Sequence, residues 1–313
     1  MNKLMVLGSV NADHVLQVPS FPRPGETLTG RNYQVIAGGK GANQAVAAAR
    51  LGADIGFIAS VGSDDFGRNI INEFKTDGIN TNCIHIAPST PTGIAMIQVS
   101  DNGENSICLS PEANDLLTTS IIESHIQAIQ CCDYLLLQLE TPLEGIQTAV
   151  NYAKTASDHT VTVILNPAPA RKLPDTLLAQ VNVITPNETE AEILTGIKVF
   201  DDESSQNAAN ILHDKGIDTV MITLGSKGVW LSENRNGKLI QGFKVTAVDT
   251  TAAGDTFNGA FVTGLLENKN IEDSIMFAHA AAALSVTRFG AQTSIPYRQE
   301  TDSFLLQQNA LLN

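Results

Sequence analysis

Short apolar runs alternate with amphipathic stretches along most of the chain. Leu4 to Val10 is an apolar run that ends in Asn11-Ala12-Asp13, the pattern of a buried strand delivering polar groups at its carboxyl end. The stretch GGKGANQAVAAARLG then predicts a helix. Ala42, Ala45, Val46 and Ala49 recur at helical spacing and make a face small enough for close packing against a sheet. Asp54 to Ser60 predicts the next strand and Phe66 to Lys75 the next helix. From Asp133 the strand, helix, strand alternation is plain: YLLLQLE, Ile146 to Ala156, TVTVILN, then VNVI and an acidic-started helix. A helix over Ser205 to His213 leads into a strand at Thr219 to Thr223. Gly254 to Leu265 and Ile271 to Val286 are two late helices. Such alternation predicts an α/β fold with a mostly parallel central sheet and helices on both faces, its crossovers right-handed.

Two stretches break the pattern. His14 to Val18 and Thr27 to Ile36 are β-prone and are separated by Pro19, Pro22, Pro24 and Gly25; Gly93 to Val99 and Asn105 to Leu109 form a second such pair. Together they predict a small β-rich appendage assembled from two separated insertions. Ligand contacts are then expected near the carboxyl ends of the main strands.

Composition narrows the class. The 313 residues are 43% hydrophobic and 17% charged, which suits a compact globular protein with a real core. Nineteen Lys and Arg against 33 Asp and Glu give a net charge of -14, which argues against nucleic-acid binding and against adhesion to an acidic membrane. An anionic nucleotide remains compatible, where glycine-rich backbone, a helix N-terminus and metal ions supply local positive potential. Cys83, Cys108, Cys131 and Cys132 form no C-x-x-C pair, and six scattered histidines give no zinc cluster; buried, reduced cysteines are expected. The N-terminal apolar run reads as a strand rather than a signal peptide, and no run approaches the roughly 18 apolar residues of a membrane span, so a cytoplasmic enzyme is expected.

The strongest chemical feature is Asp249-Thr-Thr-Ala-Ala-Gly-Asp255-Thr-Phe-Asn-Gly259. A turn leading into a helix offers the backbone N–H groups of Ala252, Ala253 and Gly254 to an anion. Asp255 then suits a base that takes a proton from an attacking alcohol, or a group that organises a cation; spacing alone leaves helix capping as an equal alternative. Gly38-Gly39-Lys40-Gly41-Ala42-Asn43 lacks the Walker A order, but its glycines permit close backbone approach, and Asn43 with Asn11 and Asp13 supplies the mixed donors and acceptors a polyhydroxy compound requires. Glu140 follows an apolar strand; Asn187 and Glu190 stand where helix capping competes with a nucleotide or magnesium role. Thr223-Leu-Gly-Ser-Lys-Gly228 is a glycine loop after another strand. Neither glycine cluster gives the G-x-G-x-x-G fingerprint of a Rossmann dehydrogenase.

Taken in order, these motifs resemble those of the ribokinase-like sugar kinases. The resemblance runs from GSVNADH to VTRFGAQTS and is carried by AGGKGANQAVAAARLGA, LNPAPARKLPD, ITPNETEAE, ITLGSKG and DTTAAGDTFNGAF. It implies one kinase domain over residues 1–313 with a β-sheet lid from about 14–36 and 93–110, and a homodimer through the lid sheets. The implied reaction transfers the γ-phosphoryl group of ATP to the 5-hydroxyl of D-ribose, with Mg²⁺ and K⁺; deoxyribose, fructose or a nucleoside is the alternative acceptor, and a non-catalytic sugar sensor a more distant one.

By the same resemblance Asn11, Asp13, Gly39, Lys40, Gly41, Ala42, Asn43 and Glu140 correspond to sugar contacts. Asn187, Thr223, Leu224, Gly225, Ser226, Lys227, Gly228 and His279 correspond to the ATP side, with Gly254 and Asp255. Asp255 corresponds to the catalytic base and sugar contact, and Ala252, Ala253 and Gly254 to the anion hole. Asp249, the carbonyls of Thr251, Ser285, Arg288 and Gly290 and the Ser294 hydroxyl match a potassium site, while Glu190 is associated with magnesium. His279, among Phe277, Ala278 and Ala280, is also readable as a core residue, though the resemblance favours a nucleotide-facing role. One departure is local: Ser110-Pro-Glu-Ala-Asn114 replaces a glycine-containing approach to the alanine-asparagine pair, and Pro111 and Glu112 alter the expected lid return.

Overall fold

A computed structural model describes residues 3–157 and 159–312, the last four by their backbone alone. Its strands are β1 (Leu4–Leu7), β2 (Asn11–Val18), β3 (Arg31–Gly38), β4 (Ile55–Gly62), β5 (Ile84–Ala87), β6 (Gly93–Ser100), β7 (Asn105–Ser110), β8 (Tyr134–Leu137), β9 (Thr162–Leu165), β10 (Val183–Ile184), β11 (Thr219–Thr223), β12 (Gly228–Glu233) and β13 (Asn236–Gln241). Nine of them form the main sheet, in the order β13-β12-β11-β10-β9-β8-β1-β4-β5. From β11 to β5 every pairing is parallel; β12 and β13 add an antiparallel edge.

β1 shows why its sequence is apolar throughout. It pairs on both sides, Leu4 with Ile55 of β4 and with Tyr134 of β8, and all four of its residues are buried. Successive side chains leave a strand on opposite faces, so Leu4 and Val6 enter the core that holds Phe57, Phe257 and Phe261, whereas Met5 and Leu7 enter the core that holds Ile146 and Val150. The strand stops at Leu7, and Gly8 to Val10 carry the chain into β2.

The second sheet has the order β3-β2-β6-β7, with β2 and β6 parallel and the outer pairs antiparallel. β2 begins at Asn11, three residues before the predicted stretch, and β3 begins only at Arg31, so that Thr27 to Gly30 lie outside the ladder. The hairpin of β12 and β13 and the C-terminal helix Arg298–Leu312 were not anticipated. Nor does the expectation of buried cysteines hold generally. Cys132 is buried, Cys83 and Cys131 are partly exposed, and Cys108 is exposed because β7 is an edge strand of the half-covered second sheet. No helix among the described residues is long and apolar enough to cross a membrane.

On one face of the main sheet, helix Lys40–Arg50 packs against helix Ala253–Leu266, which in turn packs on helix Ile271–Ser285. The first contact is glycine-sized. A Cβ at position 259 would lie 2.6 Å from the Gln44 carbonyl oxygen, 2.7 Å from Ala47 Cβ and 2.9 Å from Ala48 N. The approach is made at Gln44, Ala47 and Ala48, beside the face of Ala42, Ala45, Val46 and Ala49 that the spacing predicts; Ala47 and Ala48 are fully buried. Forcing a larger side chain into such a contact costs on the order of 1–3 kcal/mol. Gly259→Val is therefore expected to lose that much stability in denaturant unfolding, and an unchanged midpoint would contradict the packing account.

Candidate active site

The carboxyl ends of adjacent main-sheet strands meet the N-termini of two helices at one cleft. Ser9 to Asp13 leave β1, Gln138 to Glu140 leave β8, Asn166 leaves β9 and Thr185 leaves β10. Helix Lys40–Arg50 starts after Gly39, whose φ of 91° is left-handed backbone that glycine adopts without strain. Glu140 sits at that helix start: its Oε2 accepts from the Lys40 backbone N–H at 3.0 Å and from Ser9 Oγ at 2.6 Å. A carboxylate is well placed against unpaired helix N–H groups.

Asp255 does not cap its helix. Helix Ala253–Leu266 has no side-chain cap, and the Asp255 carboxylate turns instead to the neighbouring helix. Asn43 Nδ2 donates to its Oδ2 and Gln44 Nε2 to its Oδ1, both at 3.0 Å. This geometry removes the capping alternative that spacing left open. Ala252, with φ 58° and ψ 13°, turns the chain into the helix, and the Gly254 backbone is exposed at its start, whereas the Ala253 N–H donates to the Thr250 carbonyl at 3.2 Å.

The cleft is strongly acidic. Asp13, Glu140, Asp255 and Glu190 all act electrostatically on the Lys40 ammonium, with Asp255 first, and they hold its pKa above the ordinary lysine value. Burial pushes the Asp13 carboxyl up to about 7, with further contributions from the Glu140 and Asp255 charges, against a lowering by Lys40. Glu190 is likewise raised, chiefly by burial. Two buried acceptors beside Asp255 have no partner in the protein: Asp13 Oδ1 and Asn43 Oδ1. The Ser110–Asn114 departure does not disturb this corner, because Asn114 Oδ1 accepts from the Val10 N–H at 2.9 Å and its Nδ2 donates to Asn11 Oδ1 at 2.8 Å. The departure is absorbed at Glu112, which takes φ 49° in the turn that a glycine would enter freely.

On the far side of Gly254 lies a cavity of about 350 Å³ walled by Thr223, Gly225, Gly228, Phe257, His279 and Val286 among others. Leu224, Ser226 and Lys227 belong to the same turn, Leu224 buried and the other two exposed. His279 does line this cavity. It is buried, its ring centroid is 5.5 Å from that of Phe257, and its Nε2 stands 3.3 Å from the Ile240 carbonyl oxygen. Burial brings its pKa down to about 4, so the ring is neutral near pH 7 and donates from Nε2 to that carbonyl. Asn187 and Glu190 form a reciprocal capping box, Glu190 N–H to Asn187 Oδ1 at 2.8 Å and Asn187 N–H to Glu190 Oε2 at 2.9 Å. The capping reading is thus correct, and it leaves Glu190 buried within the electrostatic reach of Lys40 and Asp255.

Residues 249–251 and 285–294 come together beside the helix start. Asp249 Oδ1 accepts from the Thr251 N–H at 2.9 Å and Oγ1 at 2.7 Å, and its Oδ2 accepts from the Gly290 N–H at 2.9 Å. These bonds lower the Asp249 pKa against the opposing effect of its burial. Ser285, the last residue of its helix, and Ser294 are fully buried, and the Ser285 carbonyl accepts from the Arg288 N–H at 3.1 Å. Among the described residues, no group of three or more His, Cys, Asp and Glu residues is placed to hold a metal ion; a cation here would rely on carbonyls, hydroxyls and phosphate oxygens.

Sequence reasoning missed the polar layer beneath the cleft. Gln138 Nε2 donates to Gln44 Oε1 at 2.6 Å; Gln44 Nε2 also reaches Asn166 Oδ1 at 3.0 Å; Asn166 Nδ2 donates to the Thr185 carbonyl at 3.0 Å. Thr185 Oγ1 continues to Asn258 Oδ1 at 2.7 Å, and Asn258 Nδ2 to the Gly254 carbonyl at 2.8 Å. The available signal was an amide inside an otherwise apolar run, as in YLLLQLE.

The chain matches a family described as pfkB family carbohydrate kinase over residues 1–298. It is 56% identical over 302 residues to a Haemophilus influenzae protein named ribokinase, covering 96% of this chain and 98% of that one. It is similar to the crystal structure of ribokinase from Thermotoga maritima, with a TM-score of 0.88, 39% identity and coverage of 98% and 100%. It is also similar to Arabidopsis thaliana ribokinase complexed with ribose and ATP, with a TM-score of 0.90, 32% identity and coverage of 97% and 98%. Two sheets in this arrangement, a cleft at the strand ends and a family match across nearly the whole length agree: the chain belongs to the pfkB family of carbohydrate kinases.

Proposed function

We propose that this carbohydrate kinase transfers the γ-phosphoryl group of ATP to the 5-hydroxyl of D-ribose, giving ribose 5-phosphate and ADP. The observation that carries the reading is the pair of buried, unpartnered acceptors, Asp13 Oδ1 and Asn43 Oδ1, beside an Asp255 held by amides. Neighbouring sugar hydroxyls are the donors such atoms require. The relatives named ribokinase favour ribose over deoxyribose, fructose or adenosine.

Asn11, Asp13, residues 39–43 and Glu140 hold the sugar. Asp255 takes the proton of the 5-hydroxyl as that oxygen forms its bond to the γ-phosphorus and the bond to the ADP oxygen breaks. The N–H groups of Ala252, Ala253 and Gly254 receive the charge that develops on the transferred group. Nucleotide occupies the cavity beside Asn187, residues 223–228 and His279, with Glu190 towards Mg²⁺, which when bound neutralises phosphate charge. Asp249, Ser294 and the carbonyls of Thr251, Ser285, Arg288 and Gly290 fit a potassium ion: they lie in two segments already drawn together around the Asp249 carboxylate. Bound there, potassium would fix the loop that carries the anion hole. The small sheet closes over the sugar as a lid, excluding water as acceptor. Exposed Tyr33, Val35, Met96, Ile107 and Leu109 on that sheet support pairing with a second copy.

Three outcomes follow from this chemistry. ADP production with Mg²⁺ and K⁺, measured across ribose, 2-deoxyribose, fructose and adenosine with mass detection of product, should be fastest with ribose; turnover of another acceptor alone would reassign the sugar. Asp255→Asn should keep fold and ribose binding and lose about 10²- to 10⁴-fold in kcat, whereas normal turnover refutes the base role. The third concerns pH. The Asp13 carboxyl rises from 3.8 to about 7 on folding, so its burial is harmless below 3.8, costs stability increasingly as pH climbs, and costs fully above 7. Asp13→Asn should therefore melt higher than the parent at pH 8, with the margin closing as pH falls towards 4, while binding ribose more weakly. A margin independent of pH would contradict the assignment.

A further inference from the structure

We propose that Gln44 is a positioning residue for phosphoryl transfer: it fixes one oxygen of the Asp255 carboxylate so that the other is presented to the alcohol. The inference rests on the reading of Asp255 as the base. Gln44 is fully buried, and every polar atom of its amide has a partner. Its Oε1 accepts from Gln138 Nε2, which orients the amide so that Nε2 points at Asp255 Oδ1 and Asn166 Oδ1. A carboxylate only accepts, so the group facing it must be the NH₂ end, and Gln138 Nε2 donates to the Oε1 that this orientation turns away.

The two oxygens of Asp255 therefore differ. Oδ2 is held by Asn43, whose own Oδ1 is unpartnered and whose side chain faces the sugar site, so a substrate hydroxyl can exchange with that bond. Oδ1 is held from beneath the cleft by an amide that no substrate reaches. Gln44, Asn166, Thr185 and Asn258 also form an unbroken sequence of hydrogen bonds from Asp255 to the Gly254 carbonyl. The base and the start of the anion-binding turn are thereby held by one buried network. Its anchor points are the ends of β8, β9 and β10, rigid positions of the main sheet.

The test is a double-mutant cycle of Gln44→Met with Asp255→Asn, reading kcat, ribose KM and melting temperature. Methionine keeps the length and removes the donor. A hydrogen bond to a charged group of this kind is worth about 10- to 100-fold in rate. Gln44→Met in the parent should lose that much kcat, with ribose KM changed by less than about threefold; in the Asp255→Asn background it should change residual turnover by less than about twofold. Loss of the same factor in both backgrounds, or full turnover of the single variant, overturns the proposal. If Asp255→Asn itself keeps full turnover, the base reading fails and this inference with it; if Asp255→Asn is crippled and Gln44→Met is not, only this inference fails. Should Gln44→Met not fold, Gln44→Glu, which still accepts from Gln138, is read in the same cycle, and a full-rate enzyme overturns the proposal.

Discussion

The approach of helix Ala253–Leu266 to helix Lys40–Arg50 sets the geometry of the whole site. Because Gly259 carries no side chain and the facing residues are alanines, the two helices pack closely enough for amides on one to reach a carboxylate on the other. One helix brings Asn43 and Gln44, the other Asp255 and the turn at Ala252 to Gly254. A single methyl at the crossing would displace them by a fraction of an ångström to more. Chemistry that depends on a base within hydrogen-bonding reach of an alcohol tolerates little of that.

Electrostatics supplies the second constraint. Four carboxylates act on one lysine in a cleft where Asp13, Asp255 and Glu190 are buried, an arrangement that is costly until ligands enter it. Asp13 carries the clearest sign of that cost. In the proposed reaction a sugar would bring hydroxyl donors to these carboxylates, and the nucleotide's negative charge would lie towards the helix start at Ala252 to Gly254.

Much of this was legible in the sequence for identifiable reasons. The parallel sheet was readable because buried strands such as β1 and β8 are continuously apolar and are spaced by amphipathic helices. The second sheet was readable from its β-prone segments between prolines, though β2 starts earlier than expected because Asn11 and Asp13 are polar residues in a strand whose inner face lines a site. The hairpin of β12 and β13 and the C-terminal helix escaped notice, the first because its residues follow a glycine loop, the second because its apolar residues fall in two consecutive runs, Phe304 to Leu306 and Ala310 to Leu312, rather than at a regular helical spacing. Within the site, motif residues were found and their supports were not. Gln44, Gln138 and Asn166 look like isolated polar residues until the fold stacks the ends of three strands beneath Asp255, and no spacing along the chain encodes that layer.

The central claim is that Asp255 acts as a base in one direct transfer and forms no bond to phosphorus. Its most direct test is the stereochemical course at the γ-phosphorus, followed with ATP made chiral there by oxygen isotopes and analysed in the ribose 5-phosphate product. A single in-line displacement predicts inversion of configuration. Net retention would mean two displacements through a phosphorylated protein group, and would contradict the account.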